Sequence, residues 1–196
     1  MRLKIVQAGD PVLRQTARLL SPQEIASDDI QRLIQDMQET MRDAPGVGLA
    51  APQIGLPLQL AVIEDREELV RALPPEEIAE KERRPVPFHV IANPQITHLG
   101  CDKRNFYEGC LSLAGFSAVV PRSRTIRVEY LDGKGEPRTV EASGWYSRIL
   151  QHEIDHLCGT LYIDRMHSRT FASVDNWNRF WKGKPIEDAP ANLPPR

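Results

Sequence analysis

Apolar residues recur at helical spacing in the first quarter of the chain. Five of them share one helical face: Ile30, Leu33, Ile34, Met37 and Met41. They occupy positions i, i+3, i+4, i+7 and i+11, which predicts an amphipathic helix over 28–43 that restarts after Ser27. Just upstream, Ser21-Pro22-Gln23-Glu24 is a capping box with proline at the first helical position, so a short helix is expected to begin there.

Shorter apolar runs predict strands. The expected strands span 58–64, 88–94, 125–131 and 138–142. We expect Pro94 to end the second of them, and a turn to join the last two in a hairpin. The charged stretch 64–84 is expected to be a solvated excursion, with a short surface helix at most, that carries no site.

A second helix is predicted over 143–159, with Ser143 as its N-cap and Gly159 just past its end. Its core-facing stripe is Leu150, Ile154 and Leu157. The expected fold class is α+β, with mixed or antiparallel sheets packed around this central helix and the 28–43 helix outside. Residues 1–181 are expected to form a single catalytic domain, followed by a Pro-rich mobile tail over 182–196.

Composition narrows the range of partners. The 196 residues contain 25 Lys+Arg and 27 Asp+Glu, a formal net charge of −2. This balance gives no electrostatic reason to expect a nucleic-acid or membrane partner. No apolar run approaches the roughly 20 residues of a bilayer span, which predicts a soluble protein. The first residues lack a secretory or transit signal, so we expect a cytoplasmic protein, or an organellar one whose presequence was removed.

The strongest chemical signal is the H-E-x-x-H motif His152-Glu153-Ile154-Asp155-His156. On a helix, the two imidazoles at i and i+4 project from one face and can hold one metal ion, while Glu153 can reach a metal-bound water. Two solvent-facing histidines are the structural alternative. It is disfavoured because Trp145 and Ile149 share the same helical face, and such residues seldom face water.

A catalytic metal site of this kind needs a third protein ligand. The best candidate is Cys110, which follows Gly109, because thiolate is a strong ligand for Zn or Fe(II). Spacing alone leaves Cys101 and Cys158 open. Cys101 carries no motif, and Cys158 lies round the helix from the histidines, where it is expected to pack. The odd number of cysteines, 3, argues against a disulfide scaffold and for a reduced compartment.

Residues 46–51 match the dinucleotide fingerprint G-x-G-x-x-G/A. The context is wrong for nucleotide binding, because a helix precedes the segment and a strand follows it. The remaining interpretations are a loop whose glycines let a ligand reach the backbone and a plain structural turn.

Three segments in a fixed order, GVGLAAPQIG (46–55), EGCLS (108–112) and QHEIDHLCG (151–159), resemble the signatures of the peptide deformylase family. This family removes the N-formyl group from the formyl-methionine of new polypeptides. The resemblance runs from the first residues to about 181 and is strongest to the subgroup that includes the mitochondrial enzymes. The 64–84 excursion is compatible with that subgroup.

The resemblance implies a role for each matching position. Cys110, His152 and His156 match the metal ligands, and Glu153 matches the catalytic acid/base. Gln53 and the backbone N–H of Leu111 match the groups that stabilise the oxyanion. Val47 and Gly48 match the segment that pairs with the peptide backbone, and Gly109 matches the position opposite them. Trp145 and Ile149 match the lining of the methionine pocket. Glu108 and Arg122 match a buried ion pair.

The resemblance also implies one divalent metal, with Fe(II) as the cellular ion and Zn, Ni or Co as possible ions in the isolated protein. The expected partners are N-formylmethionyl nascent peptides, with transient contact to the ribosome. The chain departs from many bacterial members at Ala114 and Ser117, where those members carry a proline and a peptide-contacting arginine. Contacts beyond the first substrate side chain are therefore left open.

Two other functions compete with deformylation. An H-E-x-x-H metallo-endopeptidase would use the same motif but needs a cleft that is open on both sides of the scissile bond. A structural metal module that binds partners would need a closed site with four protein ligands, whereas the motifs supply three and keep a general base.

Overall fold

The computed structural model describes residues 1–186 and residue 189, so most of the predicted Pro-rich tail lies outside the described residues. The α-helices are α1 Pro22–Ile25, α2 Asp28–Asp43, α3 Glu67–Arg71, α4 Pro75–Glu80, α5 Gly144–Leu157 and α6 Val174–Phe180. The strands are β1 Gly48–Ala50, β2 Leu60–Asp65, β3 Val86–His98, β4 Lys103–Gly109, β5 Phe116–Ser123, β6 Thr125–Leu131, β7 Pro137–Ser143 and β8 Ala172–Ser173.

Two antiparallel sheets surround the central helix α5. One sheet has the strand order β1-β2-β3-β6-β7, and the other has the order β4-β5-β8. Helix α5 contacts strands of both sheets, and its predicted stripe packs with Ile126 and Val128 in one buried cluster. The predicted α+β class with sheets around this helix is confirmed. Strand β1 is an edge strand, so one side of its backbone is free of sheet pairing.

The predicted N-terminal helices are confirmed. Ser21 and Glu24 form the reciprocal capping box, and the Ser27 hydroxyl accepts a hydrogen bond from the Ile30 N–H at 3.4 Å. Met37 and Met41 are fully buried, because the apolar face of α2 packs on the five-stranded sheet. None of the helices built from the described residues has the length and apolar character that crossing a bilayer would require.

The expectation that Pro94 ends its strand is wrong. Strand β3 continues to His98, and its pairing with β6 shifts register between Ala92 and Gln95. Pro94 lies within this bulge, where the ladder is already interrupted and its missing N–H costs no strand hydrogen bond. Asn93 adopts a positive φ of 50° there.

The charged stretch 64–84 differs from a simple solvated excursion. It forms α3 and α4, and its end packs against α5. The Lys81 carbonyl accepts a hydrogen bond from the Trp145 N–H at 2.9 Å. Arg83 makes a two-point ion pair with the buried Asp65 at 2.8 and 2.9 Å. The segment therefore supports the first turn of the H-E-x-x-H helix.

The pattern of apolar residues did not predict β4, β5, β8 or α6. Strand β4 begins with three exposed residues and shows no clear alternation, and Pro121 interrupts the apolar run of β5. Both strands are stabilised by pairing with each other along their whole length, from Lys103 opposite Ser123 to Gly109 opposite Ser117. This pairing between strands, rather than local periodicity, defines the second sheet.

Candidate active site

Three side chains converge where α5 faces the end of β4. Cys110, His152 and His156 each offer one ligand atom, and these atoms all lie within 4.8 Å of one another. The helical i, i+4 spacing aligns the two imidazoles, as the sequence predicts. Cys110 follows the last residue of β4, and its Sγ lies 3.3 Å from Nε2 of His156. The group could hold one metal ion.

The three cysteines differ in their exposure and in their neighbours. All are free thiols, and Cys101 and Cys158 are exposed. The expectation that Cys158 packs is wrong, because this residue is the C-cap of α5 and Leu157 before it makes the inward contact. Only Cys110 lies beside the histidines.

The donor set fits a divalent metal of borderline softness. One thiolate and two imidazoles are ligands that Zn and Fe(II) accept in tetrahedral sites with an open position. The Nδ1–H of His152 donates to Oε2 of Glu108 at 3.0 Å, which leaves Nε2 for a metal. Such a carboxylate behind a histidine fixes the ring orientation and is usual around metal sites.

Glu108 is the centre of a buried charge network. Arg122 binds it at two points, both at 3.0 Å, and Arg148 contacts its Oε1 as well. Burial opposes ionisation of Glu108, but Arg122 and His152 outweigh burial and hold its pKa far below the usual range. Arg122 also contacts Asp155. The carboxylate behind His152 is therefore charged and held in place.

The resemblance implied Glu108 and Arg122 as a buried ion pair, and they form one. Sequence reasoning missed Arg148 and Asp155. Their positions in the sequence could have indicated a role. Arg148 precedes His152 by one helical turn, and Asp155 directly precedes His156. A buried guanidinium or carboxylate must find an opposite charge, but the partners come from β4 and β5, which the apolar pattern did not predict.

Glu153 is 4% exposed, and its Oε2 has no hydrogen-bond partner within the described residues. Burial raises the pKa of this carboxyl to about 7, against the opposing effect of nearby cations. Gly48 of β1 lies directly against it, and a Cβ atom added there would be 2.6 Å from Cδ of Glu153. The group that approaches this glycine segment in the structure is thus a side chain of the protein, whereas approach of a ligand to its backbone stays a prediction.

The side-chain amide N–H groups of Gln53 point toward the metal-binding group. Its Oε1 accepts a hydrogen bond from the Ala50 N–H at 2.8 Å, so Nε2 faces Cys110 Sγ at 3.5 Å and Ser112 Oγ at 3.4 Å. Within residues 1–186, no protein group accepts a hydrogen bond from the Leu111 N–H. Two donors thus border the metal-binding group. Ser112, fully buried, was not foreseen.

A cleft of about 510 Å³ opens in front of these residues. The five predicted binding residues all line it: Val47, Gly48, Gly109, Trp145 and Ile149. Val47 and Gly48 lead into the edge strand β1, which replaces the loop predicted for 46–51. Trp145 and Ile149 come from the face of α5 that also carries His152 and Glu153. The cleft therefore has a free strand edge on one side and an apolar wall on another.

The two departures from the bacterial pattern differ in their placement. Ala114 lines the cleft, whereas Ser117 is 7% exposed and pairs with both Gly109 and Ala172. Its hydroxyl is buried without a partner in the described part of the chain. Phe116 and Val174, which no motif indicated, line the cleft instead.

Comparisons with known proteins agree on one family. The family model described as polypeptide deformylase matches residues 2–172. Peptide deformylase 1A, chloroplastic, from Solanum lycopersicum is 50% identical over 172 residues, covering 88% of this chain and 62% of that protein. The mitochondrial peptide deformylase of Homo sapiens is 44% identical over 170 residues, covering 87% of this chain and 70% of that protein.

A solved structure gives the same result. The crystal structure of a peptide deformylase from Synechococcus elongatus in complex with actinonin has a TM-score of 0.71 at 38% identity, covering 85% of this chain and 80% of that one. This chain spans about three fifths of the length of the Solanum relative, 62%. The family is metal-dependent, and the possible metal site here is Cys110, His152 and His156. The chain belongs to the polypeptide deformylase family.

Proposed function

We propose that this chain hydrolyses the N-formyl group from the N-terminal formyl-methionine of newly made polypeptides and releases formate. One observation carries the proposal. The buried carboxylate of Glu153, with one unpartnered oxygen, lies beside the Cys110, His152 and His156 group in a cleft bordered by a free strand edge.

We assign Cys110, His152 and His156 as the ligands of one divalent metal. A bound cation would supply Lewis acidity, which lowers the pKa of a coordinated water and polarises a carbonyl. Fe(II) is the proposed cellular ion, as the family resemblance implies. One thiolate and two imidazoles suit Zn, Ni or Co equally, and these could replace it in the isolated protein. Glu108, held by Arg122, keeps His152 oriented for this role.

Groups of the protein itself are proposed to carry the proton transfer and to stabilise the negative charge that develops on the carbonyl oxygen. Glu153 accepts a proton from the attacking water as the new C–O bond forms at the formyl carbon. The Nε2–H of Gln53 and the N–H of Leu111 donate hydrogen bonds to the carbonyl oxygen as it becomes negative. Glu153 then delivers the proton to the leaving amine as the C–N bond breaks, which yields formate and a free N-terminus.

The peptide is proposed to bind as an added strand. Val47 and Gly48 offer the free edge at the start of β1, and Gly109, which also lines the cleft, is proposed to face the peptide from the opposite side. Main-chain hydrogen bonds of this kind tolerate any sequence, whereas a side-chain pocket gives specificity. Trp145 and Ile149 form that pocket for methionine. Binding through backbone and first side chain suits an enzyme that must accept many different nascent chains.

The proposed partners are N-formylmethionyl nascent peptides, with transient contact to the ribosome. Residues 1–181 are proposed to be the catalytic domain.

Relatives are named as chloroplastic and mitochondrial enzymes. We propose a cytoplasmic location with an organelle as the alternative, and fractionation of the source cells with an antibody to the protein would distinguish them.

The decisive experiment compares three substrates. The metal-loaded protein should release formate from a formyl-Met tripeptide. It should leave the matched acetyl-Met tripeptide intact, because the proposed reaction is specific for the formyl group. It should also leave an unblocked protein uncut, as judged by mass spectrometry. Cleavage of the unblocked protein without formate release would favour the endopeptidase function instead.

A further inference from the structure

Arg148 is a buried cation that also lines the cleft. It is 3% exposed and lies on α5 one turn before His152. Its Nη1–H groups donate to Oε1 of Glu108 and to the Val120 carbonyl, the latter at 2.9 Å, and Nη2–H donates to the Arg104 carbonyl at 2.6 Å. The guanidinium is therefore held by three hydrogen bonds to strands β4 and β5.

Charge pairing with Glu108 does not by itself account for Arg148. Glu108 already has a two-point ion pair with Arg122. A second guanidinium buried beside the same carboxylate loses its hydration and lies close to a like charge, which is unfavourable. Burial and Arg122 accordingly lower the pKa of Arg148, against the opposing effect of Glu108. The position of this cation points to a role beyond neutralising one carboxylate.

Arg148 reaches the metal-binding group through Glu108. Oε1 of Glu108 accepts hydrogen bonds from Arg148 and Arg122, and Oε2 accepts from Arg122 and from the Nδ1–H of His152, at 3.0 Å. Because Oε1 is held from two directions, the carboxylate cannot rotate and Oε2 stays directed at His152. A partner of this kind sets the orientation and basicity of a metal ligand. Arg148 thus supports His152 without contacting the candidate ligand atom.

Arg148 also lies against the wall of the methionine pocket. Its Cζ is 6.0 Å from the ring centroid of Trp145 and 5.2 Å from that of Phe106, within the range of cation–π attraction. The two rings meet edge to face, with their centroids 6.4 Å apart and their planes at 69°. Trp145 lines the cleft. One guanidinium therefore contacts both the proposed pocket wall and the carboxylate behind His152.

We propose that Arg148 is a positioning residue that couples the methionine pocket to the metal ligand His152. The inference rests on the proposed function and adds a specificity-determining residue to it. The ring of Trp145 and the carboxylate of Glu108 share Arg148 as a common support. Loss of this support changes two properties together: the selection of methionine and the affinity for the metal.

Arg148→Met tests the first property, because methionine keeps an unbranched side chain and removes the cation. The measurement is kcat/KM for formyl-Met-Ala-Ser divided by kcat/KM for formyl-Ala-Ala-Ser. This ratio should fall about tenfold, since a displaced pocket wall loses contacts comparable to one methylene group. Both peptides use the same metal and the same folded protein, so neither partial metal loading nor partial unfolding changes the ratio.

The second property is measured by competition with a chelator for Zn. Arg148→Met should bind Zn about tenfold more weakly than the parent protein, the lower end of the usual effect of removing an outer partner of a ligand. Arg148→Lys keeps the charge but loses the planar fork, so it should show both changes to a smaller degree. This second variant tests the coupling even if Arg148→Met does not fold.

Three further variants separate the two properties. Trp145→Phe should lower only the peptide ratio, whereas Arg122→Leu should weaken only Zn binding. Arg104→Ala is the matched control, because the Arg104 side chain is 53% exposed and only its backbone carbonyl bonds Arg148. It should keep both parent values. Arg148 variants that change one property alone, or neither, would overturn the coupling, as would equal losses in Arg104→Ala.

Unformylated Met-Ala-Ser and Ala-Ala-Ser provide a readout that needs no turnover. Calorimetry should give a lower Kd for Met-Ala-Ser with the parent protein and a smaller difference with Arg148→Met. If the parent releases no formate while the Kd ratio and the Zn affinity both fall in Arg148→Met, the proposed function is refuted and the coupling stands. Formate release by the parent with an unchanged Kd ratio or Zn affinity in Arg148→Met refutes the coupling alone.

Discussion

Gly48 and Glu153 touch across the base of the cleft, backbone against carboxylate. A Cβ atom at position 48 would lie 2.6 Å from Cδ of Glu153 and 2.8 Å from its Cγ. Real Cβ atoms do not approach other atoms this closely, so strand β1 and helix α5 meet at a point that only glycine allows. The edge strand and the proposed acid/base are therefore positioned by one contact.

Gly48→Ala should displace the Glu153 carboxylate and lower kcat by about 100-fold, the usual cost of misplacing a reacting group by about 1 Å. Metal content should be unchanged, since the three atoms nearest to the new methyl group all belong to Glu153, which is not among the candidate ligands. Formate release and elemental analysis would measure both. Gly133→Ala is the control: its Cβ would meet only Val90, at 3.2 Å and away from the cleft, so kcat should be kept. Full activity in Gly48→Ala would contradict this placement of Glu153.

Glu153→Ala should lower kcat by about 10²- to 10⁴-fold, the typical contribution of a general acid/base. The protein should still bind one metal ion per chain, because Glu153 is not among the three candidate ligands. Single-turnover formate release on metal-loaded protein is the measurement. Retained turnover would refute the proposed role, and loss of metal would show that Glu153 is itself a ligand.

Cys110→Ala should lower the metal-to-protein ratio well below that of the parent protein, because two imidazoles alone bind a divalent cation more weakly than the full set. Cys101→Ala and Cys158→Ala are matched controls, since both thiols are exposed. They should retain the parent ratio, measured by elemental analysis after gel filtration. If Cys110→Ala keeps full stoichiometry, the assigned ligand set is wrong.

Arg122→Leu should lower the free energy of unfolding by about 3–5 kcal/mol, because it leaves buried carboxylates at Glu108 and Asp155 without this partner. Arg127→Ala removes an exposed pair with Glu141, whose side chains are 47% and 57% exposed, and should cost less than about 1 kcal/mol. Urea unfolding of the metal-free proteins would compare them. Equal losses in the two variants would show that the buried network adds no special stability.

Asn93→Ala should destabilise the protein by about 2 kcal/mol. Asn93 has a positive φ of 50°, and its side chain bonds both backbone groups of Leu20, at 2.9 Å to N and 2.7 Å to O. Asn93→Gly keeps the backbone conformation and loses only those two hydrogen bonds, so it should fall between Ala and the parent. Thermal unfolding would rank the three, and a more stable Ala variant would contradict this account of the bulge.

The spacing of apolar residues in the sequence was enough to predict the helices and strands that bury one face and expose the other. The spacing from Ile30 to Met41 predicted α2 with its observed bounds, and the alternation in 125–131 predicted the β6–β7 hairpin. The H-E-x-x-H spacing placed His152, Glu153 and His156 on one helix, because a helix repeats every 3.6 residues whatever surrounds it. Three ordered motifs were enough to indicate the family.

Tertiary structure decided what depends on residues far apart in the chain. It distinguished Cys110 from two other thiols, because of the three cysteines Cys110 alone lies beside His152 and His156. The tertiary structure also brings Arg122 and Arg148 to Glu108. It explains why Pro94 is tolerated inside β3, because pairing with β6 creates a bulge there. It also brought Phe171 and Val174 beside Phe116. Such contacts join segments tens of residues apart, and the energy that selects them comes from packing and charge pairing, which leave no period in the sequence.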